Sequence, residues 1–212
     1  MLFRSFPIEV ISGELEARLI YSGVACDLQA SSERRLVLDI GGRSCEVIIG
    51  QGEQVLWLRS LPLGSVAWSQ QYFEDGRFTE QAFDRAEAAA RTLIGELIDT
   101  SEQPCWDVAY GAAGTVNAVV DVLAHKGEDA QRITPAALEA LYTELLRAQT
   151  IENLEMPGLR ADRKPVIGGG LCLLRVIMDV LGIEVLIHTQ AGLRRGLLHS
   201  MRPLTTKPSV RT

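Results

Sequence analysis

An α/β lobe on a mixed sheet with an antiparallel start is the fold class this sequence predicts, and three observations predict it. Three short apolar runs between Arg35 and Leu61 are separated by glycine turns. Beyond them, segments with helical spacing alternate with short β-branched runs. The chain has 212 residues, 47% of them hydrophobic, enough to bury roughly 70% of its unfolded surface without disulfides or metal. The order β-β-β-α-β-α…β-α argues against a helical bundle or a Greek-key protein.

Each element has its own signal. Ser12 is a helix N-cap, and the spacing predicts a helix from Gly13 to about Tyr21 with Leu15 and Leu19 facing inward. Arg35 to Ile40 is a strand that ends at Gly41-Gly42. Cys45 to Ile49 follows, then Gly50 to Glu53 as a turn and Val55 to Leu61 as a third strand, completing an antiparallel meander. Phe83, Ala86, Ala90, Leu93 and Leu97 recur at helical spacing behind Thr79, a second N-cap. Val108 to Tyr110 is a strand running into Gly111-Ala112-Ala113-Gly114-Thr115, after which Val116, Val119, Val120 and Leu123 make a helix. Thr134-Pro135 starts another helix, the hydroxyl capping and the proline filling the first turn, with Leu138, Leu141 and Leu145 as its stripe. Gly168-Gly169-Gly170 forms a turn before a helix bearing Leu171, Leu174, Met178 and Leu181, which Gly182 ends. Ile183 to Ile187 is the last strand, and Leu193, Leu197 and Met201 line a short final helix.

Composition narrows the setting. The apolar runs fall far short of the ~20 residues a membrane helix needs, and the first residues lack the apolar core of a signal peptide. Four single cysteines with no Cys-x-x-Cys pair fit a reduced cytoplasm. A net charge of −6 with no basic stripe argues against nucleic acid as a partner. We expect a linker strand and helix over residues 1–30, a domain over 31–202, and a disordered tail over 203–212.

Three glycine-rich turns stand at strand ends, at Gly41-Gly42-Arg43-Ser44, Gly111–Thr115 and Gly168–Gly170. Glycine lets backbone N–H groups approach phosphate oxygens, and the last two turns lead into helices whose free N–H groups favour anions. Plain turns are the bland reading of any one of them. Asp39 precedes the first turn and Glu46 follows it, so a hairpin around Gly42 sets the two carboxylates near each other. Such a pair suits Mg²⁺, which takes one or two carboxylates and leaves its other positions to water and phosphate. A capping aspartate and an exposed strand glutamate are the alternative. Glu16 lies beside an apolar stripe, and His125, His188 and His199 show no ligand or triad spacing.

These residues resemble a known family. Ile11-Ser12-Gly13-Glu14-Leu15-Glu16-Ala17-Arg18-Leu19 is similar to the I-S-G-x-E-E-A-R-L segment of the exopolyphosphatase/guanosine pentaphosphate phosphohydrolase (Ppx/GppA) family. Asp39-Ile40-Gly41-Gly42-Arg43-Ser44-Cys45-Glu46 resembles its D-I-G-G-G-S-T-E phosphate loop, Gly111–Thr115 its G-A-S-G-T turn, and Gly192–Leu198 its closing G-L-R-E-G-L-L. The resemblance implies the second lobe of an actin/Hsp70/sugar-kinase (ribonuclease H-like) fold. It implies Glu16 as the water-activating base, with Glu46 beside it in catalysis, and Asp39 and Glu46 as the acids that hold Mg²⁺. Gly41, Gly42, Arg43, Ser44, Gly111, Gly114 and Thr115 become the phosphate-binding positions. The implied substrate is polyphosphate or a guanosine polyphosphate.

The chain also departs from the pattern. The family's first lobe, with its D-x-G-S-N-S loop, is not in this sequence. Arg43 stands for the third glycine of the loop, Cys45 for Thr, Ala113 for Ser, Leu15 for the first Glu of the pair and Arg195 for the closing Glu. A positive φ at position 43 would strain an arginine; its guanidinium could bind phosphate or fill phosphate's place. The expectation is a phosphohydrolase-family domain, weak or inactive on its own, with a non-catalytic nucleotide- or partner-binding lobe as the alternative. The surface once turned to a first lobe suggests a homodimer.

Overall fold

The computed structural model describes residues 10–98 and 104–201; the expected strand before Ser12 and the tail over 203–212 lie outside the described residues. Strands β1 (Arg34–Ile40), β2 (Cys45–Gln51) and β3 (Gln54–Leu61) form the expected antiparallel meander. β4 (Val108–Ala112) runs parallel to β1, β6 (Leu186–His188) parallel to β4, and β5 (Arg132–Ile133) antiparallel to β6. The six-stranded order is β3-β2-β1-β4-β6-β5, so β1 sits near the middle and is buried along almost its whole length. A strand covered on both faces reads as a near-continuous apolar run, as Leu36-Val37-Leu38 does.

Side-chain alternation sorts the two faces. Leu36, Leu38 and Ile40 of β1, with Cys45, Val47 and Ile49 of β2, belong to the main core. That face is covered by α2 (Ser65–Tyr72), α3 (Glu80–Leu97), α4 (Ala113–His125), α5 (Pro135–Ala148) and α6 (Ile167–Val180). Val37 and Ile48 point the other way, onto α1 (Gly13–Asp27), which α7 (Leu193–Ser200) accompanies. The caps are as the sequence predicts: Ser12, Thr79 and Thr134 each accept a hydrogen bond from the N–H three residues on, at 3.2, 3.1 and 3.2 Å.

Four expectations need correction. α1 runs on to Asp27, and its inward residues are Ala17, Ile20, Tyr21, Gly23 and Val24, whereas Leu15 is exposed and Leu19 half-buried. α7 does not bury an apolar stripe: Leu197, Leu198 and Met201 are exposed and Gly196 is the buried residue. The reason is the crossing with α1, where a Cβ on Gly196 would land 1.8 Å from the Leu19 carbonyl oxygen. The last strand begins at Leu186, because Ile183 N–H closes α6 by donating to the Met178 carbonyl at 2.7 Å, beside Gly182 with φ +67. Gly168–Gly170 is not a turn but the first turn of α6, where Gly169 N–H donates to Ser69 Oγ of α2 at 3.0 Å. A Cβ on Gly169 would collide with α2 at 2.5 Å from Ser69 N, so that glycine permits close helix packing, and the helix start is buried. Finally, α2 and β5 carry too little periodic signal to be seen in the sequence.

Candidate active site

Asp39 and Glu46 are direct partners across the β1–β2 hairpin, so both side chains leave the same face of the sheet. They lie on the α1 side, opposite the main core. Asp39 is 8% exposed and Glu46 1%, and the capping-aspartate and exposed-glutamate alternative is thereby overturned. Ser60, the β3 partner of Glu46, donates its hydroxyl to Glu46 Oε1 at 2.8 Å. A glycine allows α1 to come this close: a Cβ on Gly13, its first residue, would meet Ser60 Oγ at 2.4 Å, while Gly192, which caps α7, lies beside Asp39 with room for a Cβ.

The electrostatics follow from that burial. Desolvation, then the charge of Glu16, raises the Asp39 carboxyl to about 6. Glu46 is raised to about 7, first by desolvation, and further by Glu16 and Asp39, against the hydrogen bonds of Ser60 and Ser44. Glu16, on the first turn of α1, is therefore near enough to act on both. Two facing buried acids with raised pKa values, and a third acid acting on both, are the mark of an acid–base or cation site. Among the described residues no three His, Cys, Asp or Glu side chains converge as a metal cage. The donor set fits Mg²⁺ nonetheless, because that ion needs one or two carboxylates and keeps water elsewhere, and buried repelling carboxylates gain from a cation. Cys45 beneath the pair is fully buried, and desolvation with the charges of Glu46 and Asp39 pushes its thiol up, so it is inert.

The loop between the carboxylates is held through its carbonyls. Gly41 O accepts from Ser65 N–H at 2.9 Å, and Gly42 O from Val66 and Ala67 N–H at 3.0 and 3.1 Å, capping the start of α2. Gly64 lies so close that a Cβ there would meet Arg43 N at 2.2 Å. Gly42 and Arg43 are exposed, Gly41 N–H donates to the Ser44 carbonyl at 2.9 Å, and among the described residues the N–H groups of Gly42, Arg43 and Ser44 donate to no other group. Among the described non-glycine residues only Ala113 and Gln149 have positive φ, so Arg43 sits in its turn without strain.

The Gly111–Thr115 turn lies alongside, since Ala112 pairs with Asp39 and Thr115 Oγ1 donates to the Ile40 carbonyl at 3.3 Å. That bond engages the Thr115 hydroxyl, and Gly111 packs against Leu186, which a Cβ would meet at 2.5 Å. Both residues thus position the turn. The start of α4 has no side-chain cap, and Ala113 is held at φ +67, a strained alanine at the mouth of the helix. The site also has a member that sequence reading missed. The guanidinium of Arg163, just before the 3₁₀ turn Lys164–Val166, lies over Gly114, whose Cβ would be 2.5 Å from Nη1. Its signal in sequence is faint: one arginine in the polar run Arg160–Lys164. The histidines stand apart from this group, with His188 against Asn117 Oδ1 at 2.9 Å and His199 against Ser22 Oγ at 3.3 Å.

Comparison with known proteins bears on family and fold. The sequence model of the Ppx/GppA phosphatase family matches residues 4–205. Among solved structures, the Aquifex aeolicus Ppx/GppA phosphatase, type II variant, superposes with TM-score 0.74 at 22% identity, over 88% of this chain and 62% of that one. An exopolyphosphatase-like protein superposes with TM-score 0.76 at 22% identity, over 91% and 66%. An exopolyphosphatase from Cytophaga hutchinsonii gives TM-score 0.71 at 21% identity, over 91% and 64%. The chain thus spans just under two thirds of the length of these structures and shares their actin-like fold.

Proposed function

Since the chain belongs to the Ppx/GppA phosphatase family, we propose that it hydrolyses the terminal phosphoryl group of polyphosphate or of guanosine penta- or tetraphosphate. The observation that carries this reading is the facing of Asp39 and Glu46 across a loop in which the Gly42, Arg43 and Ser44 N–H groups have no acceptor among the described residues, with Glu16 acting on both. Phosphoryl transfer needs little covalent work from a protein; it needs a placed water and stabilised oxyanion charge. Asp39 and Glu46 would hold Mg²⁺, which when bound supplies charge to the phosphate oxygens. The N–H groups of Gly42, Arg43 and Ser44, the uncapped start of α4, and the Arg43 and Arg163 guanidinium groups receive the phosphate chain. Glu16 orients the attacking water and accepts its proton. A cytoplasmic setting fits the four free thiols, and among the described residues no helix is long and apolar enough to cross a membrane. The exposed Leu197, Leu198 and Met201 of α7 make a homodimer the expected assembly.

The test is phosphate release from polyphosphate and from guanosine pentaphosphate, with Mg²⁺ and with chelator, by the wild type and Glu16→Gln. Release should be slow, require Mg²⁺, and fall about 10²-fold or more in Glu16→Gln with no change in unfolding midpoint. Equal release by the two proteins would remove Glu16 from the mechanism and leave a binding lobe as the better reading.

A further inference from the structure

A second polar cavity lies on the same face of the sheet, away from the carboxylates. It measures about 430 Å³ and is walled by Cys26 and Leu28 at the end of α1, Arg35 of β1, Gly52 of the β2–β3 turn, and Arg195 and His199 of α7. Arg35 precedes Asp39 by four residues on one strand, which places it about 13 Å away on the same face. Its chemistry is unusual. Arg35 is only 2% exposed, and its Nη2 donates to the Gln29 carbonyl and Ser31 Oγ. Its Nε has no partner, and among the described residues no carboxylate pairs with it. Tyr21, close enough to feel the Arg35 charge, stays neutral because burial raises its pKa, and its hydroxyl donates to the Gly52 carbonyl at 3.1 Å.

A guanidinium cannot shed its proton, so a buried one that has only neutral acceptors gains from an anion. Its planar fork matches the oxygens of a carboxylate or phosphate group. Across the cavity stands a second guanidinium, Arg195, tied to Asp27 at 2.8 Å yet more than half exposed. Arg195 occupies the position where the family pattern has Glu, so this wall is reversed in charge relative to that pattern. Glu53 is exposed at the rim and limits the net charge the cavity accepts, which favours a small, singly charged group.

We infer that this cavity is a binding site for a small oxyanion, a carboxylate or phosphate group, held between the buried Arg35 and Arg195, and separate from the phosphate loop at Gly41–Ser44. An anion there fastens the far end of α1, the helix whose first turn carries Glu16.

The experiment is a nitrogen–proton NMR titration of the full chain, following the Arg35 Nε–H signal. Sodium phosphate, sodium acetate and sodium chloride are added separately at matched ionic strength. Arg35→Lys assigns the signal, and the Gly42 and Ser44 amides report the other site independently. Phosphate or acetate should move the Arg35 signal saturably, and which of them does so identifies the group. Chloride should not. Arg195→Ala, at an exposed position that the fold does not need, should weaken the response roughly tenfold. An Arg35 signal that ignores both oxyanions, follows chloride equally, or responds unchanged in Arg195→Ala overturns the inference. Loss of the Gly42 and Ser44 response alone would touch the proposed phosphohydrolase site and leave this one standing.

Discussion

Replacing Glu46 by glutamine should stabilise this protein at pH 8 in the absence of divalent cations. Glu46 is 1% exposed and its carboxyl is raised from an ordinary 4.5 to about 7, while Asp39 opposite is raised from 3.8 to about 6. In both, the folded state holds its proton more tightly than the unfolded chain does. The associated stability is therefore complete below about pH 4 and is lost as pH rises through about 6 and then 7. Each displacement corresponds to roughly 3 kcal/mol, with the two coupled through their mutual repulsion. Glutamine cannot ionise, still offers Ser60 an acceptor oxygen, and removes the charge that Asp39 and Glu16 repel. At pH 8 with chelator, Glu46→Gln should unfold at a temperature higher by roughly 6–12 °C, taking about 2–4 °C per kcal/mol for a chain of this size. Urea unfolding at pH 5 and pH 8 gives the same comparison at constant temperature, and the wild type should show the steeper loss. A variant less stable than the wild type at pH 8, with an unchanged pH dependence, would refute the reasoning: Glu46 would then be a stabilising ionised group.

Other consequences are as direct. Mg²⁺ at pH 8 should raise the wild-type unfolding midpoint and leave Asp39→Asn/Glu46→Gln unmoved, which calorimetric scans measure. Gly196→Ala places a Cβ 1.8 Å from the Leu19 carbonyl and should cost about 1–3 kcal/mol in urea unfolding as α1 and α7 are forced apart. Arg43→Gly should weaken phosphate binding to the loop roughly tenfold by calorimetry, because the unstrained, exposed Arg43 acts as a ligand; tighter binding would mean it obstructs the site. Arg163→Ala should lower affinity for a phosphate chain in the same assay without lowering stability, since its guanidinium is partly exposed beside Gly114.

The elements that could be read from sequence are those whose pattern is set locally. The meander was legible because β1, β2 and β3 are continuous apolar runs broken by short turns, and Thr79 and Thr134 because capping needs only a hydroxyl three residues before an N–H. The facing of Asp39 and Glu46 was legible for the same reason, since a tight hairpin fixes its own register. What escaped depends on distant partners. Gly168–Gly170 reads as a turn until α2 is seen lying on it, and α7 reads as an apolar helix until the backbone of α1 meets Gly196. Arg163 is brought to Gly114 across 49 residues of chain, which no spacing rule captures. The double burial of Asp39 and Glu46, and so their raised pKa values, likewise comes from α1 closing over the sheet.

The account rests on Asp39 and Glu46 forming a cation seat in front of a phosphate loop. Mn²⁺ binding followed by electron paramagnetic resonance, with and without pyrophosphate, tests that claim most directly. Wild-type protein should bind Mn²⁺, bind it more tightly with pyrophosphate present, and lose at least roughly tenfold in affinity in Asp39→Asn, since a cation and its anion strengthen each other's binding reciprocally. Mn²⁺ binding that is equal in Asp39→Asn and indifferent to pyrophosphate would contradict it.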